Sequence, residues 1–196
     1  MSQSYVIKVS ASVQEQVRAK DRRVKRLVLT EIVPRDEQKE LVRRALEGRG
    51  WKAQEGEPDA LTRTADGVTE TVDLKEMTVE SSVELDRTLE RERTVVVRGD
   101  RDRDDPEARR AREQQTLERQ LAITEEERAK AQSALQREIA TTLDDTEAAR
   151  ARELNEVVRE VYAEGLKRKA ARLGSITEVR EGRAGEDYEL VIKITE

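Results

Sequence analysis

The chain of 196 residues (22.4 kDa) is 41% charged and only 2% aromatic, with one Trp, three Tyr and no Phe, so any core must be built from Val, Leu, Ile and Ala. Its 43 acidic and 38 basic residues nearly cancel, to a net charge of −5 and a pI near 5.3, which disfavours nucleic acid or an anionic membrane as a default partner. Having no Cys and no His, it can hold no disulfide, no thiolate nucleophile, no Ser-His-Asp triad and no His or Cys zinc site.

In chain order, Tyr5, Ile7, Val9, Ala11 and Val13 alternate with polar residues, the period-two pattern of a strand with one buried face. The charged stretch Arg18–Arg26 follows, and the β-branched run Leu27–Val33 then predicts a second strand ended by Pro34. From Asp36 to Glu47, Leu41, Val42, Ala45 and Leu46 fall on one helical stripe, stopped at Gly48 or Gly50. Trp51 is placed to cover the seam between this helix and a sheet. Asp66-Gly67 predicts a hairpin between Leu61–Thr64 and Val68–Leu74. Met77, Val79, Val83, Leu85 and Leu89 continue in strand register, and Thr94–Arg98 adds another apolar strand, giving four to six strands before residue 100.

The run Asp100–Asp105 reads as a solvated boundary, with Asp105 as an N-cap and Pro106 at the first helical position. From Glu107 to Leu173 there is no Pro and a single Gly, and good helix formers dominate. Leu117, Leu121, Leu135, Ile139 and Leu143 form one apolar stripe; Leu154, Val157, Val158, Val161 and Leu166 belong to a second. Asp144-Asp145-Thr146 divides the stripes and offers capping side chains, which predicts a helical hairpin over 106–173 reversing near 144; Thr124 followed by Glu127 is a second candidate break. After the C-cap signal Leu173-Gly174, strand character returns at 175–196, with Gly182-Arg183-Ala184-Gly185 as the turn and Tyr188, Leu190, Ile192 and Ile194 alternating.

The expected architecture is α+β: a small antiparallel sheet base with one short helix (1–100), a long inserted helical hairpin arm (106–173), and a C-terminal β-hairpin (175–196) returning to the base, with both termini in strands. The glycines form neither a P-loop nor a dinucleotide fingerprint, and the pairs Asp102/Asp104 and Asp144/Asp145 read as linker and helix cap rather than metal ligands, so no cofactor or metal and no catalytic activity is expected. No run approaches the roughly 18–20 apolar residues of a membrane helix and the start is polar, which predicts a cytoplasmic protein without membrane insertion.

Two surfaces stand out. The arm stripe (Leu117, Leu121, Leu135, Ile139, Leu143, Leu154, Val158, Val161 and Leu166) is too narrow to stabilise an isolated hairpin, which points to a contact with a protein partner, either a second copy or a different protein. The basic residues Arg18, Lys20, Arg22, Arg23, Lys25 and Arg26 are candidate anion-binding groups; without interleaved aromatics for base stacking, protection of a sheet edge precedes an acidic partner or nucleic acid as the reading. Lys167-Arg168-Lys169 and Arg172 complement the dipole at a helix C-terminus.

The segments Val158-Arg159-Glu160-Val161-Tyr162-Ala163, Lys169-Ala170-Ala171-Arg172-Leu173-Gly174 and Tyr188-Glu189-Leu190-Val191-Ile192 resemble the end of a small cyanobacterial and plastid family associated with AAA+ ATPases. The passage Glu40–Trp51, Leu61–Thr64 and Gly67–Val79 is similar to accessory domains of bacterial FtsH-type ternary systems, which combine an AAA+ ATPase with partner modules. The resemblance implies a non-catalytic adaptor or assembly subunit with an AAA+ ATPase as partner; a nucleic-acid-associated protein using 18–26 is the alternative.

Overall fold

The computed structural model describes residues 4–100, 105–184 and 187–195. Its elements are β1 (Ser4–Arg26), α1 (Arg35–Glu47), β2 (Lys52–Gln54), β3 (Glu57–Ala65), β4 (Val68–Asp73), β5 (Thr78–Asp100), α2 (Pro106–Leu121), α3 (Glu125–Leu173), β6 (Ser175–Ala184) and β7 (Asp187–Thr195). The fold is α+β. Five antiparallel strands are ordered β1-β5-β4-β3-β2, and β6-β7 form a separate two-stranded sheet. The C-terminal hairpin therefore does not rejoin the first sheet. The chain divides into two compact units, Met1–Lys20 with Glu84–Ile139 and Asp21–Val83 with Ala140–Glu196.

In the first unit, β1 and β5 pair, and the polar side chains on one face bond across the strands: Ser10 with Thr94 (2.9 Å), Gln14 with Glu90 and Gln16 with Asp86 (both 2.7 Å). The opposite face carries Tyr5, Val9, Ala11, Val17 and Ala19, all buried. A Cβ at Gly99 would run into the Tyr5 ring, which accounts for glycine there. The α2 helix starts as its sequence predicts, with the Asp105 carboxylate accepting from the Glu107 and Ala108 N–H groups ahead of an N-terminal proline. Leu117 and Leu121 then bury against Val9 and Ala11.

The helical chain breaks at 122–124. The Thr124 N–H donates to Glu127 Oε2 (3.0 Å) and the Glu127 N–H to Thr124 Oγ1 (3.3 Å), a reciprocal capping box. Beyond it Arg128 pairs with Glu15, four residues past Ala11. As the helices advance from Leu117 to Arg128, their contacts on β1 advance from Val9 to Glu15. Within this unit α2 and the first turns of α3 therefore follow one another along β1 without reversing at the break.

In the second unit, α1, β3, β4, the start of β5 and the later part of α3 enclose one core in which Val42, Leu61, Val72, Leu74 and Val157 are fully excluded from solvent and Trp51 is 3% exposed. The predicted hairpin forms as expected: Ala65 pairs with Val68, and Asp66 (φ 51°) and Gly67 (φ 77°) occupy the left-handed region that a tight two-residue turn requires.

The second expected strand is not formed. Leu27–Val33 is irregular, because its polar groups find other partners: the Leu27 N–H donates to the Met77 carbonyl (2.8 Å), the Thr30 N–H to Tyr162 Oη (2.7 Å), and Gln38 Nε2 to the Thr30 carbonyl (3.0 Å). Leu27 and Val33 enter the core while Val28 faces solvent. The charged stretch before it is the continuation of β1, and Thr94–Arg98 is the continuation of β5 rather than a separate strand.

Nor does the chain reverse near 144, where α3 is unbroken. The side chains suited to cap a new helix are engaged otherwise. The Thr146 hydroxyl donates to the Thr142 carbonyl (2.7 Å), and Asp144 and Glu147 accept from Arg23 (2.7 and 3.0 Å). This placement of the break has a direct test: Thr124→Ala should lower unfolding free energy in urea by about 0.5–2 kcal/mol, the usual cost of a lost cap. Asp144→Ala, which removes only a surface ion pair, should cost less than about 1 kcal/mol. At the other end of α3, Gly182–Ala184 belong to β6 and pair with Asp187–Glu189; residues 185–186 of the expected turn, like Asp102 and Asp104, lie outside the described residues.

Candidate interaction surface

The arm stripe is core. Leu117, Leu121, Leu135, Ile139, Leu143 and Val161 are each at most 8% exposed, Leu154 and Val158 are half-buried against the second core, and Leu166 alone is exposed. The burial that a partner was expected to supply comes from the chain itself, so the stripe is no free docking face.

The basic stretch is answered by the chain's own acceptors. Arg18 donates to Gln16 (2.9 Å), Arg22 pairs with Glu80 (3.3 Å), Arg23 with Asp144 and Glu147, and Lys25 with Glu147; Lys20 and Arg26 are exposed. The hydrogen bond to Asp144 raises the Arg23 pKa, and that from Lys25 holds the Glu147 carboxyl below the usual carboxylate range. An approaching phosphate would have to compete with these carboxylates. β1 is an edge strand of its sheet, and outward-facing Arg18, Lys20 and Arg22 guard such an edge against unwanted pairing.

A different surface is built where α1, α3 and the β6-β7 hairpin meet in the second unit, around a cleft of 440 Å³. Its floor is apolar, from Leu41, Val161 and Ala163, and its rim is charged. Positions one helical turn apart on α3 pair with each other, Arg159 with Glu156 (2.9 Å) and Arg168 with Glu164 (3.5 Å). Others bridge elements: Arg49, just beyond α1, with Glu160 (2.6 Å), and Lys167 with Glu181 of β6 (2.5 Å). The Lys167 hydrogen bond depresses the Glu181 pKa while Glu181 raises that of Lys167. Tyr188 of β7 closes the cleft, and burial, followed by its bond to Glu181, pushes the Tyr188 phenol up.

The i,i+3 and i,i+4 spacing of Glu156, Arg159, Glu164 and Arg168 is visible in the sequence. The convergence of Arg49, Glu181 and Tyr188 on it is not, because Arg49 lies more than a hundred residues before this wall of α3 and Glu181 and Tyr188 reach it only when the β6-β7 hairpin folds back beside the helix. A second missed feature is an internal network: Arg63 spans Glu70 (2.9 Å) and Glu153 (2.5 Å), with its guanidinium 4.9 Å from the Trp51 ring centroid.

These features define an α+β fold with, in its second unit, a cleft whose rim of paired charges surrounds an apolar floor. The chain belongs to the FtsH ternary system domain X5 family, whose model matches residues 1–195. The likeness noted at Glu40–Val79 to accessory domains of such systems thus extends over essentially the whole chain. No curated protein and no solved structure shows significant similarity to it. Among the described residues no helix is long and apolar enough to cross a membrane.

Proposed function

We propose that the chain is a non-catalytic accessory domain of an FtsH-type AAA+ system, acting as an adaptor or assembly subunit through protein contacts at the α1/α3/β6-β7 cleft. Family membership supplies the system. The observation that carries the contact is the rim: Glu156, Arg159, Glu164 and Arg168 alternate in sign along α3, the first two and the last two pairing one turn apart, and Lys167 reaches across to Glu181 of β6, all around an apolar floor. Charges of both signs at fixed spacing recognise a protein segment with the complementary order, giving selectivity and steering more than raw affinity. The adaptor contact anticipated for the helical arm is thus moved from its buried stripe to its charged outer face.

The test is a binding titration against the purified FtsH-type AAA+ ATPase of the same system, with ATP turnover followed in parallel. The expected result is saturable binding that changes the ATPase rate, no turnover by the chain alone, and affinity reduced by about tenfold or more in Arg159→Glu/Arg168→Glu. Absence of binding at low salt, or ATP hydrolysis by the isolated chain, overturns the proposal.

A further inference from the structure

The β6-β7 hairpin is a two-stranded sheet in which no described side chain is fully buried. Tyr188, Leu190, Ile192 and Ile194 share one face with Val179 and Ile176 of β6, and Ile176, Val179 and Ile194 remain 36–40% exposed. Two strands alone are marginally stable in water; a third or fourth strand extends such an apolar face and covers an open edge. The two edges are not equivalent. β6 carries an irregularity between Ile176 and Glu178 and a glycine at 182, devices that spoil strand addition, whereas β7 is an uninterrupted nine-residue strand.

The β7 sequence is also complementary to itself. Glu189 and Lys193 lie two residues either side of Val191, Leu190 and Ile192 one residue either side, and Tyr188 and Ile194 three. We infer that β7 pairs antiparallel with β7 of a second copy about a two-fold axis at Val191, so that Glu189 of each chain faces Lys193 of the other and the apolar faces join into one four-stranded sheet. Charge also selects the register: a pair centred on Glu189 or on Lys193 would set each of those residues against its own copy, and like charges directly opposite are destabilising. Lys193 pairs with Glu178 within the chain (2.5 Å), but Glu178 also pairs with Arg180, so turning Lys193 toward a second copy leaves no carboxylate without a counter-charge. A closed two-fold contact uses the same patch on both chains and stops at the dimer. One strand pair buries less than the roughly 1,200–2,000 Å² of a stable interface, so the dimer is weak and concentration-dependent. The inference does not depend on the identity of the AAA+ partner.

The test is sedimentation equilibrium of the full chain over roughly 1–500 μM, bracketing weak association. Wild type should pass from monomer to dimer and go no further. Glu189→Lys, which disturbs no ion pair among the described residues, and Lys193→Glu should each weaken dimerisation by about tenfold or more, because each sets two like-charge pairs across the axis. An equimolar mixture of the two variants should recover the dimer, as should Glu189→Lys/Lys193→Glu in one chain. If Lys193→Glu does not fold by circular dichroism, loss in Glu189→Lys and recovery in the double variant decide the matter. Wild type monomeric throughout, association unchanged by Glu189→Lys, or no recovery on restoring opposite charges each overturn the pairing.

Discussion

Leu135→Ala should lower the unfolding free energy by about 2–5 kcal/mol, the range for truncating a buried leucine without collapse of the site. Leu135 is 2% exposed and Ile139, one turn on, is fully excluded from solvent. Alanine is the better helix former, so the substitution does not weaken α3 as a helix, and the loss reports packing alone. This distinguishes a helix laid along its own sheet from an arm standing in water, where the same change would be near neutral or stabilising. Urea unfolding with the slope held as a control is the measurement, since a changed midpoint at constant slope is a change in stability. Against a total of about 5–15 kcal/mol for an ordinary domain, the effect is large enough to read without ambiguity. A cost below about 1 kcal/mol would return the stripe to the role of a partner-binding face.

Where local chemistry decided the structure, the sequence was readable. The turn at Asp66-Gly67 follows from residues that tolerate positive φ, the start of α2 from Asp105 and Pro106, and α1 from its stripe. Two places offered equivalent local signals, and tertiary contacts chose between them. Thr124 and Asp144 both carry capping chemistry, but Glu127 is fixed by Arg91 as well as by Thr124, whereas Thr146 spends its hydroxyl on Thr142 and Asp144 its carboxylate on Arg23. Arg18–Arg26 read as the charged edge of a sheet, but charge masked the alternation that makes it one strand with the residues before it, in which buried Val17 and Ala19 continue the period of Val9 and Ala11. Leu27–Val33 failed in the opposite sense. Its residues favour a strand, but Tyr162 and Gln38, distant or on the next helix, take the hydrogen bonds of Thr30 that a neighbouring strand would have taken. The cleft was half legible, since only its α3 wall repeats within a few turns.

The network at Arg63 should show the other large effect. Arg63 and Glu70 face each other across the β3-β4 ladder, and the Glu70 side chain is 3% exposed. Arg63→Met keeps much of the volume and the packing on Trp51 but leaves a buried carboxylate without its cation, and breaking a buried pair from one side typically costs about 3–5 kcal/mol. Arg63→Met/Glu70→Gln removes the orphaned charge and should recover most of that loss, because replacing both partners of a buried pair is often close to neutral. The same network sets an acid dependence through Glu153. Its hydrogen bond from Arg63 holds the Glu153 carboxyl below the usual carboxylate range. A carboxyl with a depressed folded-state pKa contributes its stability above the unfolded value and loses it as pH falls through the folded value. Wild-type stability should therefore decline from about pH 5 downward, and the slope should be shallower in Arg63→Met, where Glu153 no longer has its cation. Glu127, Glu147 and Glu181 are depressed in the same direction by other partners, so the slope is reduced rather than abolished. Equal stability of Arg63→Met and wild type, or an unchanged acid slope, would show that the ion pairs around Trp51 are decoration on a core that holds without them.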